Sequence, residues 1–180
     1  TVTTALNHTI YADWTPNSYT VIFDEAGGSP SSPATKNVTF DSAYGTLATT
    51  TKAGYILSWW TGPGGSGSEV TVLTTVSTAS NHTLYANWTP GTYTVTLDEA
   101  GGSSSSPATT VVTYDSAYGT LATTGRIGYT FAGWWTGAGG TGSEVTASTT
   151  VTTASNHTLY AKWIAITYTV TYNGNGSDGG

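Results

Sequence analysis

The sequence predicts a mainly β protein built from small tandem domains, and three observations support this prediction. Threonine, glycine and aromatic residues are abundant, whereas charged residues make up only 8% of the chain, against about 25% in a typical soluble domain. Short runs alternate between apolar and polar residues, as half-buried strands do. Nearly every segment is written twice along the chain, which indicates repeated structural units.

The charge balance and the missing residue types exclude several classes of function. A net charge of −6 with only four basic residues leaves no basic patch, so we expect no nucleic-acid partner. The absence of cysteine excludes disulfides and thiolate metal sites. No apolar run approaches the roughly 20 residues of a membrane span, so we expect no membrane insertion in this segment. The absence of methionine leads us to expect a processed product or a segment of a longer chain.

Aromatic landmarks mark a repeat of about 75 residues, since Trp88 and Trp163 follow Trp14 at intervals of 74 and 75. A unit of this length can bury a small core of its own, so we expect domains arranged as beads on a string. We divide the chain into the last strand of a preceding repeat (1–14), a first complete repeat (15–88), a second complete repeat (89–163) and the first strand of a following repeat (164–180).

Alternation within each repeat predicts four or five strands. In YTVTLD, Tyr93, Val95 and Leu97 share one face, because successive side chains of a strand point to opposite sides. DEAGGSSSSPAT is predicted to be a long hairpin connection, since glycine, serine and proline are turn residues. Further strands are predicted at about 110–115, 128–136, 145–151 and in the closing HTLYAKW.

One strand differs in length between the repeats, because GYILSWW (54–60) is one residue shorter than GYTFAGWW (128–135). A single deletion inside a strand reverses the direction of every later side chain. We therefore expect a local backbone difference at residues 56–59, with the shorter copy absorbing the change by a bulge or a tightened end.

The closing strand holds every histidine of the chain, in ALNHTIYADW, ASNHTLYANW and ASNHTLYAKW (His8, His82 and His157). A metal site needs three or four converging ligands, so one histidine per repeat favours a structural residue at the start of a strand. The position of Asn87 is acidic in one copy and basic in another, so it is predicted to be exposed. Leu84, Ala86 and Trp88 then form the buried face.

The same strand carries candidate N-glycosylation sites, because NHT fits the acceptor pattern. NVT, NWT and NGS add further matches, and unmodified strand residues are the alternative interpretation. The candidates are Asn7, Asn37, Asn81, Asn87, Asn156 and Asn175.

Acidic pairs recur at Asp24–Glu25 and Asp98–Glu99. Turn capping and solubility are the favoured interpretation, while weak calcium binding and general acid–base catalysis are the alternatives. Neither a nucleophile elbow nor a phosphate-binding glycine loop is present. We therefore predict no catalytic residue, no metal site and no cofactor.

Two tryptophan pairs are candidate interaction residues, Trp59–Trp60 and Trp134–Trp135. In an extended strand one member of each pair points inward and the other outward. An outward tryptophan could pack against a neighbouring repeat or another chain, or stack on a sugar ring.

The order of these motifs resembles the Listeria–Bacteroides repeat, also called the internalin B-repeat. The resemblance rests on YTVTLDEAGG, a VTY segment, GYTFAGWWT and a closing TLYAKW, and it covers essentially the whole chain. It implies small β-grasp-like (ubiquitin-like) domains in tandem, found in secreted and cell-surface proteins as stalks, spacers or adhesive modules without catalytic residues. The chain departs from the pattern in the shorter first repeat and in acidic turns that are richer in serine and proline.

These observations predict a non-enzymatic extracellular structural protein, a segment or subunit of a cell-surface stalk, adhesin or filament. The alternative is a glycan-binding module that uses the outward tryptophans. The expected partners are neighbouring repeats of the same chain or identical subunits, and surface glycans under the alternative. First and last strands commonly lie side by side in a β-grasp unit, so residues 5–14 and 167–173 could pair with strands of neighbouring chains.

Overall fold

The computed structural model describes residues 3, 7–173 and 176. The chain forms two small tandem domains that divide between Thr89 and Pro90, and each contains one five-stranded sheet. The described residues contain no α-helix, only 3-10 turns at Pro63–Gly65 and Ala138–Gly140. The prediction of a mainly β protein made of tandem domains is therefore confirmed.

The two domains have the same strands in the same order. The strands of the first domain are β1 (Ser18–Asp24), β2 (Thr35–Thr39), β3 (Tyr55–Trp60), β4 (Glu69–Val70) and β5 (His82–Pro90). Those of the second are β6 (Thr92–Asp98), β7 (Thr109–Thr113), β8 (Tyr129–Gly137), β9 (Thr141–Val145) and β10 (His157–Ala165). The spatial order is β2-β1-β5-β3-β4 and, correspondingly, β7-β6-β10-β8-β9.

The first and last strands of each domain lie side by side and run parallel. Val21 pairs with His82 in the first domain, and Val95 pairs with His157 in the second. The outer pairs β1–β2 and β3–β4 are antiparallel. This adjacency is the one expected of a β-grasp-like unit, although the β-grasp assignment itself stays a prediction.

Irregular chain covers the inner face of each sheet and completes a small core. Val21, Leu84 and Val76 are fully buried in the first domain, the last of them in the loop between β4 and β5. The loop between β2 and β3 is joined to the loop between β4 and β5 by backbone hydrogen bonds. Tyr44 N donates to Thr74 O, and Val76 N donates to Ser42 O. These bonds satisfy the backbone of loops that would otherwise bury unpaired polar groups.

The predicted backbone difference between the repeats is present, but the bulge lies in the longer copy. Phe131 and Trp134 both pack on the core, although they are three residues apart. The register of β8 shifts at this point, and Gly133 adopts a φ of 87°. In the shorter copy Leu57 and Trp59 face the core two residues apart, which regular alternation allows. The extra residue of the longer copy is therefore taken up as a bulge, whereas we had expected the shorter copy to adjust by a bulge or a tightened end.

The flanking segments lie outside both sheets. Among the described residues, 7–14 and 167–173 form no strand, and large side chains such as Trp14, 87% exposed, face solvent. Assignment of both segments to neighbouring repeats stays a prediction.

A glycine turn and a tryptophan from the last strand fasten each domain across the sheet. In the second domain Trp163 Nε1 donates to the carbonyl of Glu99 at 2.8 Å. The ring lies so close to Gly102 that an added Cβ would come within 2.5 Å of its Cζ2 atom. In the first domain Trp88 donates to Glu25 O in the same way. The second glycine of each turn, Gly28 or Gly102, therefore leaves room for a tryptophan about 60 residues away.

Gly102→Ala should destabilise the second domain by about 1–3 kcal/mol, because the added methyl group overlaps Trp163. Gly125→Ala is the matched control, since its nearest contact would be Ser103 Oγ at 3.8 Å. Hydrogen exchange of the second sheet measures the effect, with the first domain as an internal reference. Equal protection in the two variants would contradict the packing argument.

Candidate interaction surface

Four side chains form a row across the outer face of the second sheet. Asp98 pairs with Tyr160, Tyr160 with Trp135, and Trp135 with Glu144. Each of them has a buried chain neighbour, namely Leu97, Leu159, Trp134 and Val145, so the row itself points away from the core. We call Asp98, Tyr160, Trp135 and Glu144 the outer row of the second domain.

The first domain presents the same row. Asp24 pairs with Tyr85, Trp60 pairs with Glu69, and the strands β5 and β3 that carry the two aromatic residues are neighbours. Asp24, Tyr85, Trp60 and Glu69 are the outer row of the first domain. Each row places two aromatic rings between two exposed carboxylates.

The tryptophan pairs divide between core and surface. Trp59 and Trp134 are only 3% and 2% exposed, so they contribute to the core and not to the outer surface. Trp60 and Trp135 are half-buried on the outer face. Their role in contacts with a partner stays a prediction.

Lys162 covers the outer tryptophan of the second domain. Its ammonium nitrogen lies 3.9 Å from the centre of the Trp135 ring, which is cation–π geometry. Its aliphatic stem runs beneath Gly140, where an added Cβ would come within 2.6 Å. In the first domain the same position is Asn87, which lies against Gly65. The two domains therefore share the row but differ at this position, where only the second domain has a lysine over its outer tryptophan.

Two further basic residues also stack on tyrosine rings, which the sequence analysis missed. Arg126 lies 4.1 Å from the ring centre of Tyr129 and Lys52 lies 4.6 Å from that of Tyr55. The constant spacing of three residues in both repeats was the available signal. Arg126 also borders an open cavity of about 500 Å³, lined by Gly101, Gly102, Ser103, Gly125, Arg126, Ile127 and Tyr129.

The histidine of each closing strand is a structural link. His157 Nδ1 lies 2.9 Å from the carbonyl of Ser155, so this nitrogen carries the proton and donates. His157 Nε2 therefore accepts from the hydroxyl of Tyr118 at 2.7 Å. His82 makes the same contacts with Ser80 and Tyr44. Burial raises the pKa of the Tyr118 hydroxyl, which keeps it protonated and able to donate.

The candidate glycosylation residues occupy different surroundings. Asn81 and Asn156 are exposed and use Oδ1 to accept from Thr20 N and Thr94 N, which leaves the amide nitrogen toward solvent. Asn7 is exposed, Asn37 accepts from Thr20 Oγ1, and Asn87 is half-buried against Gly65. Asn175 lies outside the described residues. Modification of these residues stays a prediction.

The acidic pairs order the turns that follow β1 and β6. Asp98 Oδ1 accepts from Ala100 N at 2.8 Å, and Glu99 Oε1 accepts from the hydroxyl and the amide of Ser105, both at 2.7 Å. These two bonds hold the pKa of the Glu99 carboxyl below its usual value. Asp24 caps Ala26 and Glu25 accepts from Ser31 N in the first domain. Among the described residues, no three metal-binding side chains cluster.

Tyr118→Phe should destabilise the second domain by about 1–2 kcal/mol, because it leaves His157 Nε2 without its donor. Tyr44→Phe should have the same effect on the first domain. Tyr172→Phe, at a tyrosine that is 92% exposed, is the control. Denaturant unfolding of the three variants measures the difference, and losses no larger than that of the control would contradict the link.

Glu99 should make stability depend on acid pH. Its pKa is lowered in the folded state, so its contribution is present above the usual glutamate pKa and is lost as pH falls through the lower folded value. Unfolding curves measured from about pH 6 to pH 2 should therefore show a steeper acid loss for the wild type than for Glu99→Gln, which does not titrate. Parallel pH profiles would contradict this role.

Comparison with known proteins agrees with the duplicated architecture. Residues 19–87 and 93–162 each match the Listeria-Bacteroides repeat domain. Two similar proteins of Evansella cellulosilytica are named "Putative Gly-rich membrane protein" and "Putative membrane protein". They are 30% and 32% identical over 93% and 97% of this chain. The chain spans 19% and 25% of their lengths. Within the described residues, no helix has the length and apolar character to cross a membrane. The chain belongs to the Listeria-Bacteroides repeat family.

Proposed function

We propose that this chain is a non-enzymatic, load-bearing segment of an extracellular surface protein, either a stalk or the shaft of an adhesin or filament. The observation that carries the proposal is the parallel pairing of the first and last strands in each domain. Family membership and the names of the relatives are consistent with it.

The parallel pairing determines how each domain responds to tension. When the two ends of a domain are pulled apart, β1 is pulled toward its N-terminal end and β5 is pulled toward its C-terminal end. Because the strands run parallel and are hydrogen-bonded side by side, this force shears the whole ladder at once. An antiparallel hairpin pulled at its open end would instead release one bond at a time. Shear loading is the arrangement expected of a domain that must stay folded under tension.

The connection between the domains is also suited to transmitting force. β5 ends at Pro90 and β6 begins at Thr92, so only Gly91 separates the two strands. Tension on one last strand therefore passes to the next first strand with little slack. His157 and Glu99 are residue types used in acid–base catalysis, and each has a structural partner here.

Glycan binding is the second candidate function, favoured by the half-buried outer rings of Trp60 and Tyr85 on adjacent strands. An aromatic ring presents a flat apolar face on which a sugar ring can stack. Retention on an insoluble polysaccharide that is lost on replacing Trp60 and Trp135 would support it. Equal retention of the variant and the wild type would exclude this use of the tryptophans.

Stretching single molecules by their ends should show two unfolding events, one for each domain, at high force. Each event should release roughly 250 Å of chain, since about 70 residues extend by about 3.6 Å each. The matched control attaches the handles to the start of the chain and to the glycine turn at Gly64, which follows β3. The start of β1 and the end of β3 lie at the same edge of the sheet, so this force peels β3 from the sheet bond by bond and does not shear β1 against β5. The first domain should then unfold at a clearly lower force. Equal forces in the two geometries would contradict a load-bearing role.

A further inference from the structure

The chain has only four basic residues, and each is already held within its own domain. Lys36 Nζ donates to the carbonyls of Tyr44 and Thr46. The other three lie over aromatic rings: Lys52 on Tyr55, Arg126 on Tyr129 and Lys162 on Trp135. None of the four is therefore available to the remaining outer tryptophan, Trp60.

The second domain shows what the outer row can bind. The ammonium group of Lys162 lies over Trp135, whose cross-strand neighbours are Tyr160 and Glu144. An aromatic ring attracts a cation through its negative face, and the negative charge of Glu144, across from Trp135, adds a favourable Coulomb interaction. The second domain thus places an ammonium group of its own over the row.

The first domain keeps the row but replaces the lysine. Asn87 stands at the position of Lys162 and lies against Gly65, the counterpart of Gly140. Its side chain carries no charge and ends two atoms beyond Cβ. Trp60, with Glu69 directly across from it, therefore has the acceptor groups of the second domain without the cation.

We infer that the outer row of the first domain binds the ammonium group of a lysine side chain from a partner protein, placed over Trp60. Charge complementarity selects this partner, because a net charge of −6 attracts basic chains over long range. A lysine also reproduces the group that the second domain supplies from Lys162. The inference is independent of the load-bearing role.

The test uses the full chain and Nα-acetyl-lysine N-methylamide as the probe. The indole N–H signals of the seven tryptophans are followed by NMR, and Trp60→Phe assigns the signal of Trp60. That signal should shift progressively with probe concentration, with a dissociation constant of roughly 0.2–0.4 M, as expected of one exposed cation–π contact of about 0.5–1 kcal/mol. The shift should weaken at high salt. The Nε-acetylated probe, which has no charge, should produce no shift.

Two exchanged variants provide matched controls, since each copies an arrangement that the other domain already has. Asn87→Lys should abolish the response of Trp60, because the new lysine of the same domain lies over the Trp60 ring and excludes the probe. Lys162→Asn should add a response at Trp135, which the wild type lacks. Unchanged signals of the other tryptophans establish that both variants are folded.

Several outcomes would overturn the inference. No shift of the Trp60 signal with the lysine probe would do so, as would an equal shift with the neutral probe. An Asn87→Lys variant that responds like the wild type would also contradict it. A shift with methyl β-glucoside and none with the lysine probe would instead favour glycan stacking.

Discussion

The parallel pairing of the first and last strands is the constraint on which the rest of each domain depends. Once Val21 is opposite His82, the start of β5 is fixed beside the middle of β1. Asn81 then meets the backbone amide of Thr20, and His82 comes within reach of Tyr44. The same register brings Asp24 opposite Tyr85, so it also builds one end of the outer row. One strand pairing therefore determines the core, the polar link and the outer surface.

The same constraint explains why a Ser-Asn-His motif recurs at the start of the last strand, since all three residues have structural roles. Ser155, Asn156 and His157 each have a structural partner: the serine carbonyl accepts from the histidine, the asparagine accepts from Thr94, and the histidine accepts from Tyr118. The first domain closes its sheet in the same way through Ser80, Asn81 and His82, so the asparagine and the histidine recur, whereas the serine contributes only its backbone carbonyl. The histidine that recurs in the two domains is thus the mark of a repeated strand closure.

The sequence revealed the elements of the fold but not the contacts between distant segments. Alternation correctly predicted that Leu84 and Ala86 face the core, and turn residues marked the glycine connections. The position of the bulge was not predictable from the deletion alone, because it depends on Phe131 and Trp134 both facing the core. Tyr118 lies in an irregular loop 39 residues from its histidine partner, and no periodic pattern connects them. The lysine over Trp135 was missed because variation at its position indicated only exposure.

The difference between Asn87 and Lys162 can be interpreted once the outer rows are known. An exposed position that accepts asparagine and lysine ordinarily carries no information, since solvent tolerates both. Here the position lies against a glycine turn in both domains, and in the second domain its lysine reaches over the outward tryptophan, so the exchange decides whether the ring is covered by a charge of its own chain. The neighbouring residues are the same in the two domains. Tyr85 corresponds to Tyr160, and Glu69 corresponds to Glu144. Two domains with one architecture can therefore present different surfaces to a partner through a single residue.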